Sequence, residues 1–331
     1  MDVAPLDDGV RATGAARPPR LEVVGLRHRF GDRWALDGFG FRVGRGEIVA
    51  LMGPNGSGKS TTLNVLMGLL VPSEGEVRLD GVALAPGSRA FRRAMGVVFQ
   101  APSLDARLSA RENLVLSARL HGLGGAAGRA RVEQLLASAA LADRADEPVS
   151  QYSGGMKRRL ELVRALVSEP SLLVMDEPTT GLDEHGFRDT WERVERMRGE
   201  RGLTVLLTTH RADEASRADR VVIMDRGRAI AEGTPDALCG QVAGDVLTIE
   251  ATDPEALAQE LTTRLGLACR VTGARVLIER EKGHELVPRI VEALPSGRIR
   301  SVSMHRPTLA DVFVKLTGRA LAEVEAPNVA G

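Results

Sequence analysis

Along this chain, apolar residues come in two arrangements. Short unbroken runs at residues 172–175 and 205–209 carry no polar alternation, the pattern of strands buried on both faces of a parallel sheet. Helical segments separate such runs, so an α/β fold is expected. Further strands are predicted from residue 21 onward and at 41–43, 47–52, 76–80 and 95–99, with Gly44 and Gly46 as turn punctuation. A helix is predicted from Gly58, with Thr62, Leu63, Leu66 and Leu70 along one face. Residues 221–224 and 229–231 read as a hairpin around the turn 225–228.

From Ser109 to about Ala142 the residues become Ala, Leu and Arg rich with few β-branched side chains. That predicts a helical subdomain, broken by a glycine-rich loop at 121–128. Another helix is predicted from Gly155 to Ser168, closed by Pro170, which biases its predecessor away from helix. Past Gly240 the pattern restarts as strand 246–250, helix 254–265, strands 268–271 and 275–279, helix 285–294 and strand 299–304. This βαββαβ order predicts a small α+β, ferredoxin-like module. The expected organisation is a disordered leader at 1–19, a main domain at 20–238 with its helical subdomain at about 101–165, the accessory module at 240–318 and a flexible tail at 319–331.

Composition narrows the function classes. A chain of 331 residues fits one medium domain plus a smaller one. Lysine plus arginine and aspartate plus glutamate both number 44, so no global basic field recruits nucleic acid. No apolar run approaches the roughly 18 residues of a membrane span, and the first residues lack the apolar region of a signal peptide. The chain is therefore not expected to cross a membrane itself. Cys239 and Cys269 match no zinc or redox spacing, and a reducing cytoplasm is the simpler setting for them.

The chemistry concentrates at strand ends. Gly53, Pro54, Asn55, Gly56, Ser57, Gly58, Lys59 and Ser60 match the phosphate-loop pattern at every fixed position, after a predicted strand and before a predicted helix. Its glycines let backbone N–H groups turn around phosphate oxygens, and the helix N-terminus adds partial positive charge. In that pattern Lys59 reaches the β- and γ-phosphates and the Ser60 hydroxyl ligates Mg²⁺. The strand at 172–175 ends in Asp176 and Glu177, delivering two carboxylates where open α/β sheets bind ligands. Asp176 suits Mg²⁺, and Glu177 suits the attacking water as general base or orienting group. Two more strands end in Gln100 and His210. Four strands thus terminate in groups useful to phosphoryl transfer. The other histidines, His28, His121, His185, His284 and His305, read as ordinary surface or core residues.

A second anion site is written at Ser153, Gly154 and Gly155, an N-cap followed by two glycines that expose amide donors ahead of an amphipathic helix. Lys157, Arg158 and Arg159 beyond it fit either anion binding or a solvated basic turn.

Together these residues resemble the ATP-binding-cassette (ABC) ATPases, whose fold joins a mixed-sheet phosphate-loop NTPase core to an antiparallel β subdomain and a helical subdomain. The resemblance covers residues 21–235. Ser153–Met156 (SGGM) is similar to the family's signature motif, 172–178 (LLVMDEP) to its Walker B strand, and Gly181, Leu182 and Asp183 to its D-loop. Gln100 and His210 fall at the Q-loop and H-loop positions, with Gln100 implied as a further Mg²⁺ ligand. Phe30 stands where the family places an aromatic that stacks on adenine, and Thr61 closes the implied ATP-binding set. Met156 stands where many members have glutamine, so the signature role passes to Ser153, Gly154 and Gly155.

The resemblance implies a head-to-tail pair, either a homodimer or two ATPase subunits, with each ATP between one phosphate loop and the other chain's signature helix. It also implies a separate membrane permease, engaged through the helical subdomain and the Gln100 region at the cytoplasmic face. The wording YSGGMKRRLE and residues 307–313 resemble the drug-export subgroup, ABC-2 type and daunorubicin-resistance-like. The leading expectation is an exporter ATPase. An importer ATPase, a soluble ABC ATPase of DNA repair or translation, and a regulator without turnover are the alternatives. The second of these usually carries two cassettes or a long coiled-coil insertion, and the last conflicts with the presence of Lys59, Glu177 and His210.

Overall fold

The computed structural model describes residues 17–321, apart from 102, 243, 282 and 294–298. Most of the expected leader and tail therefore lies outside the described residues. Strands Ile48–Met52, Met95–Val98, Leu172–Asp176, Thr204–Thr209 and Arg220–Asp225 run parallel in one six-stranded sheet, and Arg228–Gly233 pairs antiparallel at its edge. Alternate residues of each strand point to opposite faces, so one run feeds two cores. Val49, Leu51, Val174, Leu206 and Val222 pack toward a four-stranded antiparallel sheet and the helix Lys59–Leu66. Ile48, Ala50, Met52, Leu173, Val205, Leu207 and Ile223 pack toward the helical subdomain.

The antiparallel sheet holds Leu21–Phe30, Arg33–Val43, Glu74–Leu79 and the short Val82–Ala83. The second of these begins at Arg33, well before the 41–43 read from sequence. Its register against Leu21–Phe30 shifts at three places, and such irregularities break the period-two alternation that sequence reading depends on.

The helical subdomain carries Ala110–Leu120, Gly125–Ser138 and Gly154–Ala165. Ser109 and Glu112 form a capping box at the first. The expected loop at 121–128 is shorter than predicted, because the second helix starts at Gly125 and runs through Gly128. Gly128 is there for close approach: a Cβ would stand 2.5 Å from the Leu123 carbonyl oxygen. The third helix ends at Ala165 rather than Ser168.

The C-terminal module pairs Cys269–Thr272, Arg275–Arg280, Asp245–Ala251 and Ile299–His305 in that order, all antiparallel, with helices Pro254–Leu265 and Leu286–Ala293. This is the ferredoxin-like arrangement expected from the βαββαβ order. A further helix, Leu309–Thr317, follows, capped by Thr308 and Asp311. Its Leu309, Val312 and Phe313 are buried in the core of the main domain with Leu238 and Val242. The last helix thus anchors the module to the cassette. Cys239 and Cys269 are both free thiols. Among the described residues, no helix is long and apolar enough to cross a membrane.

Candidate functional site

The phosphate loop leaves strand Ile48–Met52 and enters helix Lys59–Leu66. Two of its glycines are demanded by the fold. Gly58 holds φ 114°, and a Cβ there would lie 2.7 Å from the Ala35 carbonyl oxygen. A Cβ on Gly53 would lie 2.4 Å from the Met224 carbonyl oxygen. Lys59 is buried and its Nζ donates to the carbonyl oxygens of Gly53 at 2.7 Å and Pro54 at 3.0 Å, which folds the loop around the ammonium. Burial pulls the Lys59 pKa down, against the opposing attraction of Glu177 and Asp176. A phosphate would restore what desolvation removes. Ser57 Oγ is buried with no partner among the described residues.

Glu177 follows strand Leu172–Asp176 directly and is 8% exposed, at φ 44°. Its carboxylate gathers three donors. Gln100 Nε2 donates to Oε2 at 3.0 Å, Thr180 Oγ1 donates to Oε2 at 3.2 Å, and His210 Nδ1 lies 3.0 Å from Oε1. A left-handed backbone at a non-glycine residue is costly, and here it aims a carboxylate into the cleft. Asp176 accepts from Thr208 Oγ1 at 2.5 Å, and burial raises its pKa, with the Thr208 bond and Lys59 opposing.

Lys59, Gln100 and Glu177 open into a cleft of ≈ 540 Å³ that Phe30, Arg33, Ala35, Asn55, Gly56, Gly58, Ser60 and Thr61 also line. Asp176 and His210 stand outside that lining, and reach it through Lys59 and Glu177. Phe30 stands 54% exposed at its rim, its ring edge-on to His28. An exposed aromatic ring at the cleft is what the sequence expectation requires. Ser60, Gln100 and Asp176 offer a hydroxyl, an amide and a carboxylate, the hard oxygen donors that Mg²⁺ prefers. The burial penalty on Asp176 is one a cation would relieve. The donor set therefore fits the ion. Among the described residues no group of three or more His, Cys, Asp or Glu could hold a metal ion by itself.

The predicted second anion site lies elsewhere on the chain. Ser153, Gly154 and Gly155 line a separate cleft with Gly181, Leu182 and Asp183. Ser153 Oγ caps the helix by accepting from the Met156 N–H at 3.3 Å. Both glycines are exposed, with nothing within 4 Å of an added Cβ. Asp183 caps the helix Glu184–Arg201 by accepting from the Gly186 N–H at 2.8 Å. The structure thus brings Lys59, Glu177, Gln100 and Phe30 together, and sets the signature residues apart from them.

Arg158 corrects the sequence reading of a solvated or anion-binding basic turn. It is 7% exposed, and its Nη1 donates to the Phe99 carbonyl oxygen and to Glu161 Oε2, each at 3.2 Å. Glu161 Oε1 in turn accepts from the Ser103 N–H at 2.8 Å. The signature helix is therefore tied to the segment flanking Gln100. The Arg158–Glu161 spacing hints at an ion pair, but its burial depends on distant packing. Sequence reasoning also missed Arg33, which stands in the cleft wall beside Gly56. Only its pairing with Phe30 across the hairpin brings it there.

Residues 36–180 match the family model described as ABC transporter. The chain is 41% identical over 313 residues to the Nod factor export ATP-binding protein I of Paraburkholderia xenovorans (strain LB400), covering 92% of this chain and 98% of that one. It is 41% identical over 309 residues to the daunorubicin resistance ATP-binding protein DrrA3 of Streptomyces coeruleorubidus, covering 90% and 96%. Among solved structures it is similar to cbiO1 from Clostridium perfringens, part of the ABC transporter complex cbiONQ, with TM-score 0.62 and 30% identity over 75% of this chain and 96% of that one. It is also similar to the dimeric post-hydrolysis state of the ATP-binding cassette MJ0796 bound to ADP and Pi, with TM-score 0.58 and 29% identity over 65% and 98%.

Proposed function

The chain belongs to the ATP-binding-cassette family of transporter ATPases, and from that premise we propose that it hydrolyses ATP in a head-to-tail pair to drive export through a separate permease. The observation that carries this reading is the division of the site. The phosphate loop and Glu177 line one cleft, and Ser153–Gly155 with Asp183 line another. A second copy, or a paired ATPase subunit, completes each half.

In this reading Phe30 stacks on adenine, and Gly53, Pro54, Asn55, Gly56, Ser57, Gly58, Lys59, Ser60 and Thr61 cradle the phosphates. Ser60, Asp176 and Gln100 hold Mg²⁺, which neutralises phosphate charge when bound. Glu177 orients or deprotonates the attacking water, and His210 and Gln100 hold its carboxylate in place. The partner's Ser153, Gly154 and Gly155 amides meet the γ-phosphate from the far side.

The permease contact is read from a cleft lined by Met67, Leu69, Met95, Phe99 and His121, beside the exposed Leu120. Phe99 adjoins Gln100, and its carbonyl holds Arg158. Docking there is one bonded step from Glu177 and one from the signature helix. The exporter reading, and antibiotic or other drug cargo within it, rests on the relatives named for Nod factor export and daunorubicin resistance. It places the chain peripherally, at the cytoplasmic face of the membrane.

Light scattering of the Glu177→Gln protein tests the pairing. With ATP and Mg²⁺ the expected mass is twice the 35.4 kDa of one chain. A monomer saturated with ATP would contradict it.

A further inference from the structure

The C-terminal segment reaches the phosphate loop through one ion pair. Beyond the helix Leu309–Thr317 the chain turns at Gly318, at φ 72°, and Thr317 Oγ1 accepts from the Arg319 N–H at 3.2 Å. So fixed, Arg319 Nη2 donates to Asp225 Oδ2 at 2.7 Å. The Asp225 side chain is 15% exposed, so its partner matters more than on an open surface.

Asp225 ends the strand Arg220–Asp225 and begins a tight turn in which Arg226 and Gly227 both have positive φ, at 48° and 77°. That turn is bonded to the loop. The Gly227 N–H donates to the Ser57 carbonyl oxygen at 2.8 Å, and the Gly227 carbonyl accepts from the Asp37 N–H at 3.0 Å. On the other side of Asp225, the Met224 carbonyl oxygen closes against Gly53. Met224 and Gly227, on either side of Asp225, thus touch the loop at Gly53 and at Ser57.

We propose that Arg319 is a positioning residue for nucleotide binding: paired with Asp225, it holds the 225–228 turn and, through Gly227 and Ser57, preorganises the phosphate loop. This rests on the reading that the loop binds ATP. Arg319 is not needed to dock the last helix, because Leu309, Val312 and Phe313 already bury that helix in the main core. Its removal should loosen the turn and leave the fold intact. The module then acts on ATP affinity from outside the cleft, and Glu177 chemistry is untouched.

The test is the dissociation constant of a fluorescent ATP analogue, with KM and kcat for ATP, on the full chain carrying Arg319→Ala, Asp225→Ala, both, or Arg319→Lys. Each single alanine variant is expected to weaken binding and raise KM by about three- to fivefold, the range of a partly screened ion pair. The double variant should lose no more than either single one, since the two act as one unit. Arg319→Lys should recover most of the affinity, and kcat at saturating ATP and the melting temperature should stay at the wild-type values. Additive losses, or KM changes that track a fall in melting temperature, would overturn the inference. Alanine variants that bind as tightly as wild type would overturn it alone. A wild-type chain that bound no nucleotide would overturn the loop assignment and this inference with it.

Discussion

His210 Nδ1 lies 3.0 Å from Glu177 Oε1. An ionised carboxylate only accepts, so this contact is a hydrogen bond in the tautomer whose proton sits on Nδ1. Gln100 holds the other oxygen, and the Glu177 side chain is pinned between two residues that lie just beyond different strands.

Glu177→Gln keeps the shape and the Gln100 and His210 neighbours but removes the basic oxygen. ATP binding is expected to persist while turnover falls by on the order of 10²-fold or more. Steady-state phosphate release with a parallel binding titration checks this, and wild-type turnover would remove Glu177 from its role.

Phe313 is fully buried where the last helix meets the main core. Phe313→Ala is expected to cost about 3–5 kcal/mol in urea unfolding, from lost transfer energy and the cavity left behind. On the same helix Leu316 is 43% exposed, and Leu316→Ala should stay within about 0.5 kcal/mol of wild type. Equal effects would mean that the helix does not dock as described.

Glu214 is buried after His210 and accepts from Thr179 Oγ1 at 2.7 Å. Burial raises its pKa, and the Thr209 and Thr179 hydroxyls offset this only in part. The folded chain therefore holds this proton more tightly than the unfolded one. Its contribution is full below the unfolded value, about 4.3, and declines as pH rises through the raised folded value. The neutral Glu214→Gln should flatten that decline and be the more stable protein above it. Urea unfolding at several pH values measures both, and an unchanged slope would contradict the assignment.

Much of this site was legible because its chemistry is local. A buried strand followed at once by Gly53, Asp176–Glu177 or His210 declares the strand and offers a candidate functional group at its end. The cap at Ser153 and the exposed Gly154 and Gly155 were equally plain, since an N-cap and two glycines need no tertiary context. What sequence did not convey depends on long-range packing. In sequence Arg158 is one of three adjacent bases, and only packing sets Phe99 and Glu161 against it. Arg319 fell in the expected tail, 94 residues from the Asp225 it binds. The strand from Arg33 was hidden by bulges.

The division of the site between two chains is tested most directly by mixing two disabled variants. Lys59→Ala disables the phosphate loop. Gly155→Glu puts a carboxylate on the proposed signature face, where an added Cβ meets nothing of its own chain within 4 Å. Each protein alone should be inactive. In a mixture, about half the random pairs join an intact loop to an intact signature face, restoring about a quarter of the wild-type sites. ATP hydrolysis that returns on mixing is the expected result, and a mixture as silent as its components would contradict a site shared between two chains.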